Sequence, residues 1–247
     1  MKELLWVELK RTLRQPQFVI FAVIMPVAMY LIFGGMKEAT GQVLPSGANV
    51  TAIIMVQMAF YLGVLAAANT GADAGVQRAN GWMRTLALTP MRDSQYTLVR
   101  LALVYVTTLV PITIVYLSGA VSYAKMTPGQ WVVSYILCVL LSGLFGAFGQ
   151  MIGSLTGAAG QGLASGLVVL LSFASDLFVP LEGTLSKVSQ FMPLFGSKSL
   201  VTWQLTQGHS TTGVSLSLTW VVVNAVVWGV LMIVGALYSH RLTKSRA

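Results

Sequence analysis

Charge is what this 247-residue chain has least of. Asp, Glu, Lys and Arg together make 9% of it, where a soluble domain carries about 25%. With 55% of residues hydrophobic and a mean hydropathy of +0.76, that shortage excludes a soluble globular domain and leaves an integral membrane protein. Cysteine is nearly absent as well. The single Cys138 falls inside an apolar run, so a disulfide framework is excluded. The two histidines, His209 and His240, fall on opposite sides of the membrane by the charge bias below, and no H-E-x-x-H sequence occurs, so no metal site is expected. A Walker A loop is missing too: Gly196-Ser197-Lys198-Ser199 lacks the upstream glycine spacing and the Gly-Lys pair. Ser165 sits in Leu163-Ala164-Ser165-Gly166, without the first glycine of a G-x-S-G nucleophile and without a histidine in any span, so no catalytic residues are expected. Beyond Asp176 the spans carry no relay of ionisable groups of the kind a proton-coupled carrier uses.

What is present is length without charge. Uncharged stretches run over 15–36, 39–72, 101–124, 126–175 and 199–240, and a span needs about 20 apolar residues. The run 126–175 is too long for one span and holds two, with a break near the glycines 153–162. The expectation is an all-α membrane protein, a single transmembrane domain over 1–247. Its six transmembrane helices fall near 18–36, 50–69, 101–121, 131–155, 163–181 and 216–238. A transmembrane barrel would instead show short alternating segments.

Lys and Arg set the orientation. Eleven fall on one side: Lys2, Lys10, Arg11, Arg14, Arg78, Arg84, Arg92, Arg100, Arg241, Lys244 and Arg246. Four fall on the other: Lys37, Lys125, Lys187 and Lys198. The richer side is the cytoplasmic one, so both termini face in. The net charge of +8 then reflects topology and anionic lipid. There is no basic soluble domain for nucleic acid.

Five segments stand out against this apolar background. Residues 1–14 form a candidate amphipathic interface helix, with Leu5, Leu9 and Leu13 on one stripe and Pro16 separating it from the first span. It either floats at the interface or transmits motion to that span. Residues 73–100 lie between two spans and carry four arginines. A basic amphipathic element there either lies on headgroups or is gripped by a soluble partner. The expected docking helix covers 75–88. Gly149, Gly153 and Gly157 repeat every four residues, which lets helices approach closely, within the chain or between subunits. The fifth span carries Gln161, Ser165, Ser172 and Asp176 on one stripe. With Gln57 and Tyr61 of the second span opposite, these six are the candidate substrate path, although Asp176 is near enough to the outer end to reach water. Residues 180–215, punctuated by Pro180, Gly183 and Pro193, predict one or two short helices dipping into the outer leaflet.

A membrane body with a basic handle and no energy source of its own implies a partner. Three regions resemble the permease subunits of ABC-2 type exporters. Glu8-Leu9-Lys10-Arg11-Thr12-Leu13-Arg14-Gln15-Pro16, followed by a span with Pro26, resembles that family's interface helix and first span. Arg78-Ala79-Asn80-Gly81-Trp82-Met83-Arg84-Thr85-Leu86-Ala87-Leu88-Thr89-Pro90 resembles its cytoplasmic coupling helix between spans two and three. Phe178-Val179-Pro180 through Met192-Pro193 resembles its proline-punctuated, re-entrant external segment between spans five and six. One departure is that Gln77, Arg78, Ala79 and Asn80 stand where the family commonly has an acid, and Asp73 is the nearest one. The resemblance implies ATPase coupling through Arg78, Gly81, Trp82, Met83, Arg84, Leu86, Thr89 and Pro90. It also implies ATP and Mg held by two copies of a separate ABC ATPase, and pairing with a second permease copy or a paralogous permease. Export of amphipathic drugs, antibiotics, peptides or lipid-like molecules would follow, from the plasma membrane, in bacteria the inner membrane. The competing class is a non-transporting scaffold or sensor that binds a regulator or anionic lipid.

Overall fold

The computed structural model describes residues 24–34, 40–79, 93–209 and 213–245. Nine α-helices occur among them: α1 (Met25–Gly34), α2 (Val50–Ala79), α3 (Asp93–Ala120), α4 (Pro128–Gly143), α5 (Phe145–Thr156), α6 (Gly160–Ala174), α7 (Gly183–Ser189), α8 (Pro193–Thr206) and α9 (Leu218–Ser245). No strand occurs among the described residues, only isolated bridges between Val43 and Asn49 and between His209 and Ser215. Four helical stretches are long and apolar enough to cross a membrane: Val50–Gln77, Leu98–Ala120, Pro128–Ala174 and Leu218–Ser239.

The 47-residue stretch is broken at Leu144, between α4 and α5, and again at a 3-10 turn over Gly157–Ala159. Gly157 takes φ 59° there, a left-handed conformation that glycine adopts without steric penalty. The chain then doubles back. A β-carbon added at Gly160 would sit 2.7 Å from the Gly153 α-carbon, so the start of α6 lies against the end of α5. Helix α4 starts sharply because Thr127 and Gln130 form a capping box, with proline in the first turn.

Two helix boundaries differ from those read in the sequence. Helix α2 runs on to Ala79, so residues 75–79 continue a span instead of opening a separate docking helix. Gly75 allows this, because a β-carbon there would press on the α5 backbone at Gln150 and Ser154. Helix α6 stops at Ala174, short of residue 181. Just beyond, Asp176 has φ 59° and its carboxylate accepts the Leu181 amide at 2.8 Å, which turns the chain out of the helix. The described part of the first expected span is α1 alone. Leu5, Leu9 and Leu13 of the interface helix lie outside the described residues, as do Gly81, Trp82, Met83, Arg84, Leu86, Thr89 and Pro90 of the coupling segment. Arg78 lies in the last turn of α2.

Helix α2 is the axis of the bundle. Its spanning stretch is 78% buried, against 28% for that of α9. Small residues make this possible. A β-carbon at Gly149 or Gly153 would overlap the carbonyls of Ala68 and Ala72, and one at Gly71 would overlap that of Gly146. The glycine repeat therefore seats α5 on α2 within the chain, where close backbone approach maximises dispersion contact. Gly157 belongs to the turn, with nothing near it. Helix α9 covers the outside and exposes Val223, Val227, Val230, Leu231 and Val234, a surface suited to lipid.

Residues 183–206 form a plug of two helices held by α9. The Asn224 side chain accepts the Gly196 amide at 3.0 Å and donates to the Gln190 carbonyl at 2.9 Å. Trp228 donates to the Phe191 carbonyl at 2.9 Å. At the same end, the Gln130 amide donates to the carbonyls of Ser46 and Gln204, both at 3.2 Å. The Ser46 hydroxyl donates to the Leu205 carbonyl at 2.6 Å.

Candidate functional site

A cavity of about 1190 Å³ opens beside the first half of α2. One face of α2 forms its long wall: Val50, Ile53, Ile54, Gln57, Met58, Tyr61 and Leu65. Those positions recur at three and four residues, so they share a side of the helix. Val169 and Phe173 of α6, the stretch Leu177–Pro180, the end of α8 and the loop Gln42–Pro45 complete the lining. Three rings make an aromatic corner. The Tyr61 and Phe178 centroids are 4.7 Å apart and those of Phe173 and Phe178 are 5.0 Å apart, both edge to face. Among the described residues the lining has no Asp, Glu, Lys or Arg, and its polar members are Gln42, Gln57, Thr206, Gln207, His209 and the Tyr61 hydroxyl.

Of the six candidate path residues, Gln57 and Tyr61 lie on this wall. Gln161, Ser165, Ser172 and Asp176 do not line it, because other parts of the protein engage them. Ser165 donates to the Asn69 side chain at 2.7 Å, and Gln161 donates to Asp73 at 3.5 Å. Ser172 is fully buried and donates to the Val168 carbonyl at 2.7 Å. The stripe thus ties α6 to α2, and the cavity side of α6 is the neighbouring one carrying Val169 and Phe173.

Asp176 makes a buried ion pair with Lys198. The lysine Nζ donates to the carboxylate at 2.9 Å and to the Asp176 carbonyl at 2.7 Å; both side chains are 5% exposed. This pins the segment after α6, which forms the cavity lip, to the middle of α8. Reading the sequence did not find Lys198. It lies 22 residues away across two prolines, and charge counting groups it with the other outer lysines.

A second polar cluster lies at the opposite end of α2. Gln77 donates to Asp73 at 2.6 Å. Arg100 of α3 donates to the side-chain amide oxygen of Gln77 and lies 3.8 Å from the Asp73 carboxylate. These residues flank residues 80–92 on both sides. In the sequence Arg100 reads as a topological charge and as the last arginine of the basic 73–100 segment; its pairing with Asp73 needs the antiparallel packing of α2 on α3. Tyr61 and Asp73 are separated along the one helix by about 18 Å at 1.5 Å per residue.

Comparison with known proteins adds two findings. The sequence profile of the family described as ABC-2 type transporter matches residues 1–195. Over 213 residues, 83% of this chain and 84% of the relative, the chain is 26% identical to a Bacillus subtilis (strain 168) protein named "Putative transport permease YvfS".

Proposed function

The chain belongs to the ABC-2 type transporter family, and on that basis we propose that it is the transmembrane permease subunit of an ATP-driven exporter, taking its energy from a separate ABC ATPase. It is a multi-pass membrane protein with a permease role. In the full reading it has six spans, with both termini and the 80–92 segment in the cytoplasm and the α7–α8 plug outside. Two ATPase copies bind ATP and Mg and grip the coupling segment through Trp82, Met83 and Leu86, with Arg78 and Arg84 as polar contacts. Two permease copies, or this one and a paralogue, pair, and an amphipathic substrate passes between them along the wall carrying Gln57 and Tyr61.

The observation that carries this reading is the continuity of α2. One rigid, buried helix bears the cavity wall in its first half and, in its last turns, the Asp73 and Gln77 contacts to Arg100. A push on the 80–92 segment then has a stiff lever to the cavity. Co-purification with the cognate ATPase tests the partner, and Trp82→Ala with Arg84→Ala tests the coupling. The double variant is expected to insert normally and to lose substrate-stimulated ATP hydrolysis. Unchanged stimulation would reject the coupling role. An intact permease that binds no ATPase would point to a scaffold or sensor instead.

A further inference from the structure

We propose that the cavity binds an uncharged ligand with an aromatic or branched apolar body and a neutral polar group, such as a carbonyl or hydroxyl, read by the Gln57 side chain. This rests on the cavity being the substrate path and names the class of substrate it accepts.

Gln57 is 6% exposed and lies on the cavity wall; no described residue hydrogen-bonds its amide, whose polar atoms are not among the sealed, unpaired ones and so stay open to the cavity. Buried amides are normally paired, and the other buried amides here follow that rule. Gln130 holds Ser46 and Gln204, Asn49 holds Tyr123 and Lys125, and Asn224 holds Gly196 and Gln190. Among the buried amides of the described residues, Gln57 alone keeps two donors and an acceptor facing the cavity. One turn further along α2, the Tyr61 ring packs on Phe178. A polar contact therefore sits beside an aromatic corner, the pairing of a polar handle with an apolar body that small-molecule sites use.

The charge of the ligand follows from what the wall lacks. An ion moved from water into an apolar cavity needs a counter-charge, and none of the described lining residues supplies one. The nearest buried charges, Asp176 and Lys198, are 2.9 Å apart and satisfy each other. This lining disfavours acids and bases in ionised form and admits a carbonyl or hydroxyl compound. His209 is exposed and its ring lies at the cavity rim beside Thr206.

Nile red and Nile blue supply the test, because they share a flat aromatic body and differ in charge: Nile red is neutral with a carbonyl, Nile blue cationic. Binding is measured by fluorescence titration of the purified permease in neutral-lipid nanodiscs at pH 8, with empty nanodiscs as background. Saturable Nile red binding is expected, at least about tenfold tighter than that of Nile blue, since the cation gains no partner. Gln57→Leu should weaken Nile red about tenfold, the effect of one hydrogen bond. Gln57→Glu should reverse the preference toward Nile blue. No saturable Nile red binding, equal affinity for the two dyes, or unchanged Nile red affinity in Gln57→Leu would overturn the proposal. The titration needs no ATPase. Selective dye binding by a permease that recruits no ATPase would sink the transport reading and leave this site standing; loss of selectivity in an ATPase-coupled permease would do the opposite.

Discussion

Removing the Lys198 ammonium alone should destabilise the protein far more than removing both members of its pair with Asp176. At the observed 2.9 Å and an effective dielectric constant of about 20, the attraction is about 6 kcal/mol. Desolvating two buried ions takes back much or all of that. The intact pair therefore contributes little net stability, but its halves are unequal to lose. Lys198→Met takes from the buried Asp176 carboxylate, which also accepts the Leu181 amide, its counter-charge at 2.9 Å, a loss of about 3–5 kcal/mol. Adding Asp176→Asn removes the stranded charge, keeps an acceptor for Leu181, and suits the left-handed backbone, which asparagine tolerates. The double variant should recover most of the loss. For a chain of this size the single variant should fall by on the order of 10 °C in apparent melting temperature. The assay is thermal unfolding of detergent-purified protein at equal lipid content, completed as a double-mutant cycle. A Lys198→Met variant that melts with the wild type, or a double variant as unstable as the single, would refute a buried, mutually neutralising pair.

Further substitutions probe the other contacts. Gly149→Leu would drive a side chain into the Ala68 carbonyl, so it should give an aggregated or poorly inserted protein on size-exclusion chromatography. Gly166→Leu, with open space around it, should elute normally. Arg100→Ala breaks the contacts to Asp73 and Gln77; it should retain ATPase binding but lose about tenfold in substrate-stimulated hydrolysis, with Arg100→Lys intermediate because it keeps charge without the two-pronged geometry. Leu5→Ser with Leu9→Ser keeps every charge, so loss of transport at equal membrane abundance is expected if residues 4–13 transmit motion, and full transport would show that they only set topology.

The helical class was legible because lipid demands long uncharged runs, four of which the described residues show as spanning stretches, and the 126–175 run betrayed its turn through glycine density. Close packing of α5 on α2 was half legible. The four-residue glycine spacing announced a close approach, but its partner, the Ala68–Ala72 face, carries no mark that singles it out among other small residues. The α6 stripe left open what it faces, for a physical reason. Polar residues on one face need partners, and periodicity does not tell a water-filled cavity from Asn69 and Asp73 on a neighbouring helix. Gln57 and Tyr61 were legible as polar positions on an otherwise apolar face. Lys198 was hidden, because an ion pair across a proline-broken segment has no fixed spacing, and the end of α6 depends on that same tertiary contact.

The central claim is that ATP binding by a partner changes access to the cavity beside α2, and cysteine accessibility measures it most directly. Ile54 lines the cavity, and Cys138 is fully buried, so Ile54→Cys in a Cys138→Ser background places one reactive thiol on the wall. Labelling with a membrane-impermeant thiol reagent is followed in the reconstituted permease–ATPase complex, with and without ATP and Mg, using a hydrolysis-deficient ATPase to hold the nucleotide-bound state. The account predicts labelling that differs between the two states and becomes independent of nucleotide when Trp82→Ala and Arg84→Ala are added. Equal labelling with and without ATP in the otherwise intact complex would contradict it.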